Sequence, residues 1–113
     1  MHELSLVQSI IETVERDARG KGISKVTRLQ IVAGELAPVN HRALSFALEN
    51  VVKGSMLEHT QIDFTIKEAR ESCNASKLEF KPQPPFYQCP ACDKVTFPEA
   101  ESRTVYIDFY EGD

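Results

Sequence analysis

The sequence predicts an α+β fold: two helices packed on a three-stranded sheet, with a small ribbon-like module inserted before the last strand. Three observations carry that expectation. Two segments space their apolar residues by three and four. Three others alternate apolar and polar residues. One proline-rich stretch between the second and third alternating segments holds all three cysteines.

Leu4, Val7, Ile11, Val14 and Ala18 mark the first amphipathic helix, with Glu12, Glu15, Arg16 and Arg19 between them and Gly20 and Gly22 ending it. Thr27, Leu29, Ile31 and Ala33 alternate with Arg28, Gln30 and Val32, a strand with one buried face. Gly34 to Val39, with Pro38 inside, makes a turn. Asn40 is the expected N-cap of a second helix, whose apolar side is Ala43, Leu44, Ala47, Leu48 and Val51. Gly54 stands where a C-terminal glycine cap belongs. Ile62, Phe64 and Ile66 form a second strand, and Val105, Ile107 and Phe109 a third. Strand, helix, strand implies a crossover, with both helices expected on one face of the sheet. The stretch from Glu68 to about Arg103 is too long for a structureless loop in a compact domain. The expected division is 1–69 plus 103–113 as the α/β domain and 70–102 as the module.

Composition bounds the function classes. The 113 residues suit one compact domain with a small appended module. The net charge is -4 and the 13 Lys and Arg residues form no block, which disfavours a nucleic-acid partner. No apolar run approaches the ~20 residues needed to span a bilayer, and the first segment lacks the basic start and small-residue cleavage site of a signal peptide. Three cysteines do not make a disulfide framework. A cytoplasmic protein with thiols available to a metal is the simpler expectation.

Cys89-Pro-Ala-Cys92 is a C-x2-C knuckle, a spacing at which two thiolates grip one tetrahedral zinc ion. Cys73 lies 16 residues earlier, at a distance typical of the other half of a zinc ribbon. A full ribbon would have a fourth cysteine at position 76, where this chain has Ser76, a neutral oxygen and a poor zinc ligand. Lys77 follows, where a glycine would ease the turn; Asp93, its counterpart, tolerates a left-handed conformation better. Three readings compete: a zinc site of Cys73, Cys89 and Cys92 completed by Ser76, water, a nearby His or Asp or a second chain, a redox pair, and a metal-free ribbon held by Leu78, Phe80, Phe86, Tyr87 and Phe97. The redox pair lacks its strand-to-helix setting. The packing residues are few for a module of that length, which favours zinc.

At the other end, the amine of Met1, the backbone nitrogen and imidazole of His2, and the backbone nitrogen of Glu3 are able to form fused chelate rings. The resulting nitrogen-rich square plane suits Ni(II) or Cu(II). The motif alone carries little specificity, since many unrelated proteins begin with Met-His.

The opening Met1-His-Glu-Leu-Ser-Leu-Val-Gln-Ser, then Val26-Thr-Arg-Leu, Gly34-Glu-Leu and Ala43-Leu-Ser-Phe-Ala-Leu-Glu49, resembles the hydrogenase nickel-insertion accessory family, the HypA/HybF type. Cys89-Pro-x-Cys92 and the strand before Glu111 extend the resemblance over nearly the whole chain. It implies a nickel metallochaperone rather than an enzyme, with Ni(II) held by Met1, His2 and Glu3 and a structural zinc by Cys73, Cys89 and Cys92. It also implies two partners: the nickel-insertion GTPase of the same pathway and the [NiFe]-hydrogenase large subunit, with urease a further client. The chain departs from the family pattern at Ser76-Lys77, where Cys-Gly is usual, and at Asn40, where an acidic residue often stands near the nickel site. The alternative function is a non-delivering, zinc-ribbon-type adaptor in metalloenzyme assembly.

Other residues are expected to be bland. His41 reads as a solvent-exposed helical histidine and His59 as a loop residue, the latter also a candidate for the vacant zinc position. Glu68, Glu71 and Glu79 read as solvated. Glu68-Ala69-Arg70 is a candidate hinge through which a homodimer exchanges the module or a helix. No nucleophile-base pair or phosphate loop is visible.

Overall fold

The structure is a computed structural model and describes residues 3–83, 87–96, 98 and 100–113. Its elements in chain order are α1 (Glu3–Gly20), β1 (Val26–Gly34), α2 (His41–Val51), β2 (Gln61–Lys67), β3 (Glu71–Ser72), β4 (Glu79–Phe80), α3 (Ala100–Arg103) and β5 (Val105–Gly112). The expected α+β class, with two long helices and a three-stranded sheet, is what the chain adopts. The chain divides into two compact units: one of Met1–Val32, Val39–Thr65 and Tyr106–Asp113, the other of Ala33–Pro38 and Ile66–Val105.

In the first unit α1 buries Val7, Ile10, Ile11, Val14 and Ala18. Leu4, read as part of that stripe, is instead 52% exposed, while Ile10, nearly two turns further in, is buried. The helix ends in a Schellman motif. Gly22 has φ +74, and the N–H of Ile23 reaches the Ala18 carbonyl at 2.9 Å while that of Gly22 reaches Arg19 at 3.1 Å. An L side chain disfavours that left-handed turn, which is why a glycine stands there.

Asn40 caps α2 as its sequence position suggests: its backbone is extended and its Oδ1 accepts from the Ala43 N–H at 2.9 Å. The helix buries Leu44 and Leu48, while Ala43 is exposed and Ala47 and Val51 only half-buried. With Leu57 and Val52 from the turns that follow, these side chains join Val26, Leu29 and Ile31 of β1 as the buried set of this unit. Fully burying one such aliphatic side chain contributes about 1.5–3 kcal/mol, which is what fixes the helical and strand faces.

The sheet order is β2-β1-β5. Lys25 exchanges backbone bonds with Asp113, so β1 begins where β5 ends, and the two run antiparallel. Along β2, Thr60 bonds the Val26 carbonyl, Arg28 meets Asp63 and Gln30 meets Thr65, so β1 and β2 run parallel, joined through α2. The same pairs dress the solvent side of the sheet. Arg28 Nε donates to Asp63 Oδ2 at 3.1 Å while its guanidinium lies 5.3 Å from the Phe109 ring centre.

In the second unit β3 and β4 pair antiparallel, with Glu71 opposite Phe80 and Ser72 opposite Glu79. A lone bridge joins Gln88 and Val95. Glu35 organises one side. Its carboxylate accepts from the Ala69 N–H at 3.1 Å and from Lys81 Nζ at 2.7 Å, and its own N–H donates to the Lys67 carbonyl at 2.9 Å. Gly34, beside it, donates to the Thr104 carbonyl at 2.8 Å. A Cβ on Gly34 would stand 2.4 Å from backbone atoms of Glu101 and Ser102, so no other residue fits without moving that segment. The Glu68-Ala69-Arg70 connection, read as a hinge, is anchored at its centre, where Ala69 is fully buried.

Candidate metal centres

The thiols of Cys73, Cys89 and Cys92 lie within 4.8 Å of one another. Two turns with the same local geometry bring them together. Cys73 N–H donates to the Leu78 carbonyl at 2.9 Å and the Lys77 N–H returns to the Cys73 carbonyl at 2.8 Å. Sixteen residues on, Cys89 N–H donates to Lys94 at 2.9 Å and Asp93 N–H returns to Cys89 at 2.8 Å. Lys77 and Asp93 occupy the left-handed region at φ 62 and 61, so the two knuckles match residue for residue and Ser76 is the counterpart of Cys92. Glycine is easier at such a position, and lysine lacks the short polar side chain that lets asparagine or aspartate bond locally there.

Ser76 faces the cluster. Its Oγ is 3.3 Å from Cys89 Sγ and its N–H is 3.5 Å from Cys73 Sγ, while Cys73 and Cys92 sulfurs are 3.6 Å apart. Zinc–sulfur bonds of about 2.3 Å in a tetrahedron put sulfurs roughly 3.8 Å apart. The Cys73–Cys92 spacing is within a few tenths of that value and all three sulfurs lie within 4.8 Å of one another, so the donor set suits one zinc ion with three thiolates and an oxygen at the fourth corner. The hydroxyl of Ser76, then its backbone N–H, favour the ionised form of Cys73 and hold its thiol down at about 6. Cys89 is lowered in the same sense, chiefly by Ser76. For Cys92 the Lys94 backbone N–H pulls downward, but the neighbouring Cys73 and Cys89 sulfurs and burial together push it up.

Cys73 and Cys89 are buried, at 1% and 0% exposure, and with Phe80 they form the apolar centre of this unit. Leu78, counted as packing in the sequence, is 37% exposed and Tyr87 half-buried. Phe86 and Phe97 lie outside the described residues. Among the described residues no histidine joins the cluster; His59 sits on an exposed turn of the first unit.

At the N-terminus, Met1 and His2 lie outside the described residues, and the structure speaks for Glu3 alone. Glu3 is half-buried in the first turn of α1, and its Oε1 accepts from the Asn40 N–H at 3.0 Å. Its carboxylate therefore stands at the positive ends of both α1 and α2, where a negative charge is stabilised. Asn40 uses its side-chain oxygen to cap Ala43. The chain thus fixes residue 3, the last member of the expected chelate, against the start of α2.

Three residues depart from their sequence readings or were missed. His41 is half-buried rather than solvated. Its ring tilts against Phe64 at 6.4 Å, and its Nε2 is buried with no partner among the described residues. It falls on the buried stripe of α2, three residues before Leu44, a spacing that would have revealed it. Glu71 is likewise half-buried, with Oε2 unpartnered among the described residues. Glu35 was quoted only within a motif; its role depends on partners 34 and 46 residues away, which no local pattern reveals.

Comparisons with known proteins agree with this arrangement. The chain is 33% identical to the hydrogenase maturation factor HypA of Moorella thermoacetica over 114 residues, covering all of both chains. It is 38% identical to that of Parabacteroides distasonis over 92 residues, covering 81% of this chain and 80% of the other. The solution structure of the Ni metallochaperone HypA from Helicobacter pylori superposes with a TM-score of 0.70 at 22% identity, covering 99% and 97% of the two chains, which establishes a shared fold. Residues 1–112 match the family model described as hydrogenase/urease nickel incorporation, metallochaperone, and on that match the chain belongs to the HypA family.

Proposed function

We propose that this chain carries Ni(II) at Met1, His2 and Glu3 and delivers it for maturation of [NiFe]-hydrogenase. The observation that carries the reading is the match over residues 1–112, which includes the opening Met-His-Glu. The docking of Glu3 on Asn40 supports it, because it gives a short chelating segment a fixed base. Residues of a first helical turn need not donate their N–H to the helix's own ladder, so a backbone nitrogen there is suited to metal binding. Hydrogenase is placed first among clients because the relatives bear that name, with urease second.

In this reading the chain performs no bond-making chemistry. It offers nitrogen donors in a plane, keeps them exposed enough to exchange, and relies on a partner GTPase and the hydrogenase large subunit for commitment. Cys73, Cys89 and Cys92 would hold zinc, which when bound closes the two knuckles into one unit. No helix among the described residues is long and apolar enough to cross a membrane.

The test is calorimetric titration of Ni(II) into the native chain, His2→Ala, and a version with one residue added before Met1. The expected result is stoichiometric binding by the first and strong loss in both variants. Undiminished binding in both would refute the N-terminal chelate.

A further inference from the structure

We infer that a zinc ion in the knuckle pair keeps an exchangeable fourth position, and that this position takes a thiolate from outside the chain. The inference rests on the reading of Cys73, Cys89 and Cys92 as zinc ligands and concerns what completes them. Three observations carry it. Knuckle symmetry makes Ser76 the only counterpart of Cys92, and its Oγ stands 3.3 Å from Cys89 Sγ, at the fourth corner. Serine's hydroxyl is neutral at pH 7 and hard, so it competes poorly with sulfur for zinc. Finally, the corner is on the outside: Cys73 and Cys89 are buried, whereas Cys92 and Ser76 are exposed. A zinc site with three protein ligands and an accessible fourth position is the arrangement that binds exogenous donors; closed structural sites use four.

Charge selects the donor class. Three thiolates around Zn(II) leave one net negative charge, against two in a four-cysteine site. The exposed Lys77, directly after Ser76, adds positive charge, while in the other knuckle its counterpart Asp93 and the neighbouring Lys94 offset one another. An anionic sulfur donor therefore meets less repulsion here than it would at a closed site. The exchange balances simply: a thiol R–SH loses its proton to solvent, its sulfur bonds zinc, and the serine hydroxyl or a water leaves unchanged. No oxidant is needed. A small thiol and a cysteine of a partner protein share this chemistry.

The experiment uses the full chain loaded with Co(II) in place of zinc and titrated with 2-mercaptoethanol. Native protein should show sulfur-to-cobalt charge-transfer intensity that rises saturably by about one-third, as three thiolates become four. Ser76→Cys should start at the higher intensity and not respond. Ser76→Ala should bind metal and respond as the native chain does, because the hydroxyl is not a committed ligand. Adding a peptide with one cysteine, and its serine version, separates small-thiol from protein-borne donors, and a response to either thiol supports the inference. Stoichiometric metal with no response in native protein, or loss of metal in Ser76→Ala, would overturn it while leaving the three-cysteine site standing. Absence of bound zinc or cobalt in freshly reduced native protein would overturn both.

Discussion

Glu3 joins the start of one helix to the start of another, and removing its carboxylate tests whether that junction matters. The bond from the Asn40 N–H is charge-assisted at 3.0 Å. Hydrogen bonds to charged groups contribute about 1.5–3 kcal/mol, and the exposed setting places this one at the low end, because water replaces the lost acceptor. A carboxylate at a helix N-terminus adds about 0.3–1 kcal/mol, screened by salt. Glu3→Ala should therefore destabilise the chain by about 1.8–2.5 kcal/mol, lowering Tm by roughly 8–11 °C for a domain of this size. Glu3→Gln keeps an acceptor and loses only the charge, so its cost should be about half as large. That smaller cost should shrink further at 1 M salt, where the Debye length falls to about 3 Å. Urea unfolding of zinc-loaded protein at low and high salt reads both quantities. Both variants retain the residue 3 backbone nitrogen, so nickel affinity should change by less than about tenfold, or ~1.4 kcal/mol. A Glu3→Ala chain within about 0.3 kcal/mol of native, or a Glu3→Gln cost insensitive to salt, would show that the junction is not the electrostatic cap described.

Lys77 sits at φ 62. Lys77→Gly should stabilise the chain by about 1 kcal/mol in urea unfolding, while Asp93→Gly gains less because aspartate tolerates the left-handed region better. Gly34→Ala should destabilise by about 3 kcal/mol or more, since its Cβ would lie 2.4 Å from backbone atoms; amide exchange near Ser102 should rise with it, and a stable, unperturbed variant would refute the close approach. Asp17 is held below the ordinary carboxylate value, first by the Tyr110 hydroxyl and then by Lys21, and Tyr110 is held above its own by Asp17. The Asp17 contribution is thus present above about pH 4 and lost as pH falls through its lowered value; that of Tyr110 is present below about pH 10 and lost as pH rises through its raised one. Carboxyl NMR titration of Tyr110→Phe should find Asp17 moved upward, and an unmoved value would refute the bond.

Local signals in the sequence were enough for the local structure. The stripe of α1, the Asn40 cap, the glycine that ends α1 and the alternation of β1 each depend on neighbours within a turn or a strand. The two knuckles were legible as well, because a C-x2-C spacing and its degenerate copy dictate matching turns. What escaped depends on residues far apart in the chain. Glu35 is one residue of the expected Gly34 to Val39 turn, and its role exists only once Ala69 and Lys81 fold against it. Leu4 has the right spacing for the α1 stripe, yet 52% of it stays exposed, because spacing sets a direction and not the extent of what it meets. His41 was misread for the opposite reason: a polar residue on an apolar stripe was assigned by its chemistry rather than its position.

The closeness of the three thiols has a consequence for oxidation. Cys73 and Cys92 sulfurs are 3.6 Å apart, held there by backbone bonds that do not involve metal. With two electrons and two protons removed by an oxidant, such a pair closes into a disulfide of about 2.05 Å after a small movement. Zinc has no redox chemistry of its own, so an ion held there would act as a protecting group for the sulfurs it binds. Whatever fills the Ser76 corner then governs how long that protection lasts.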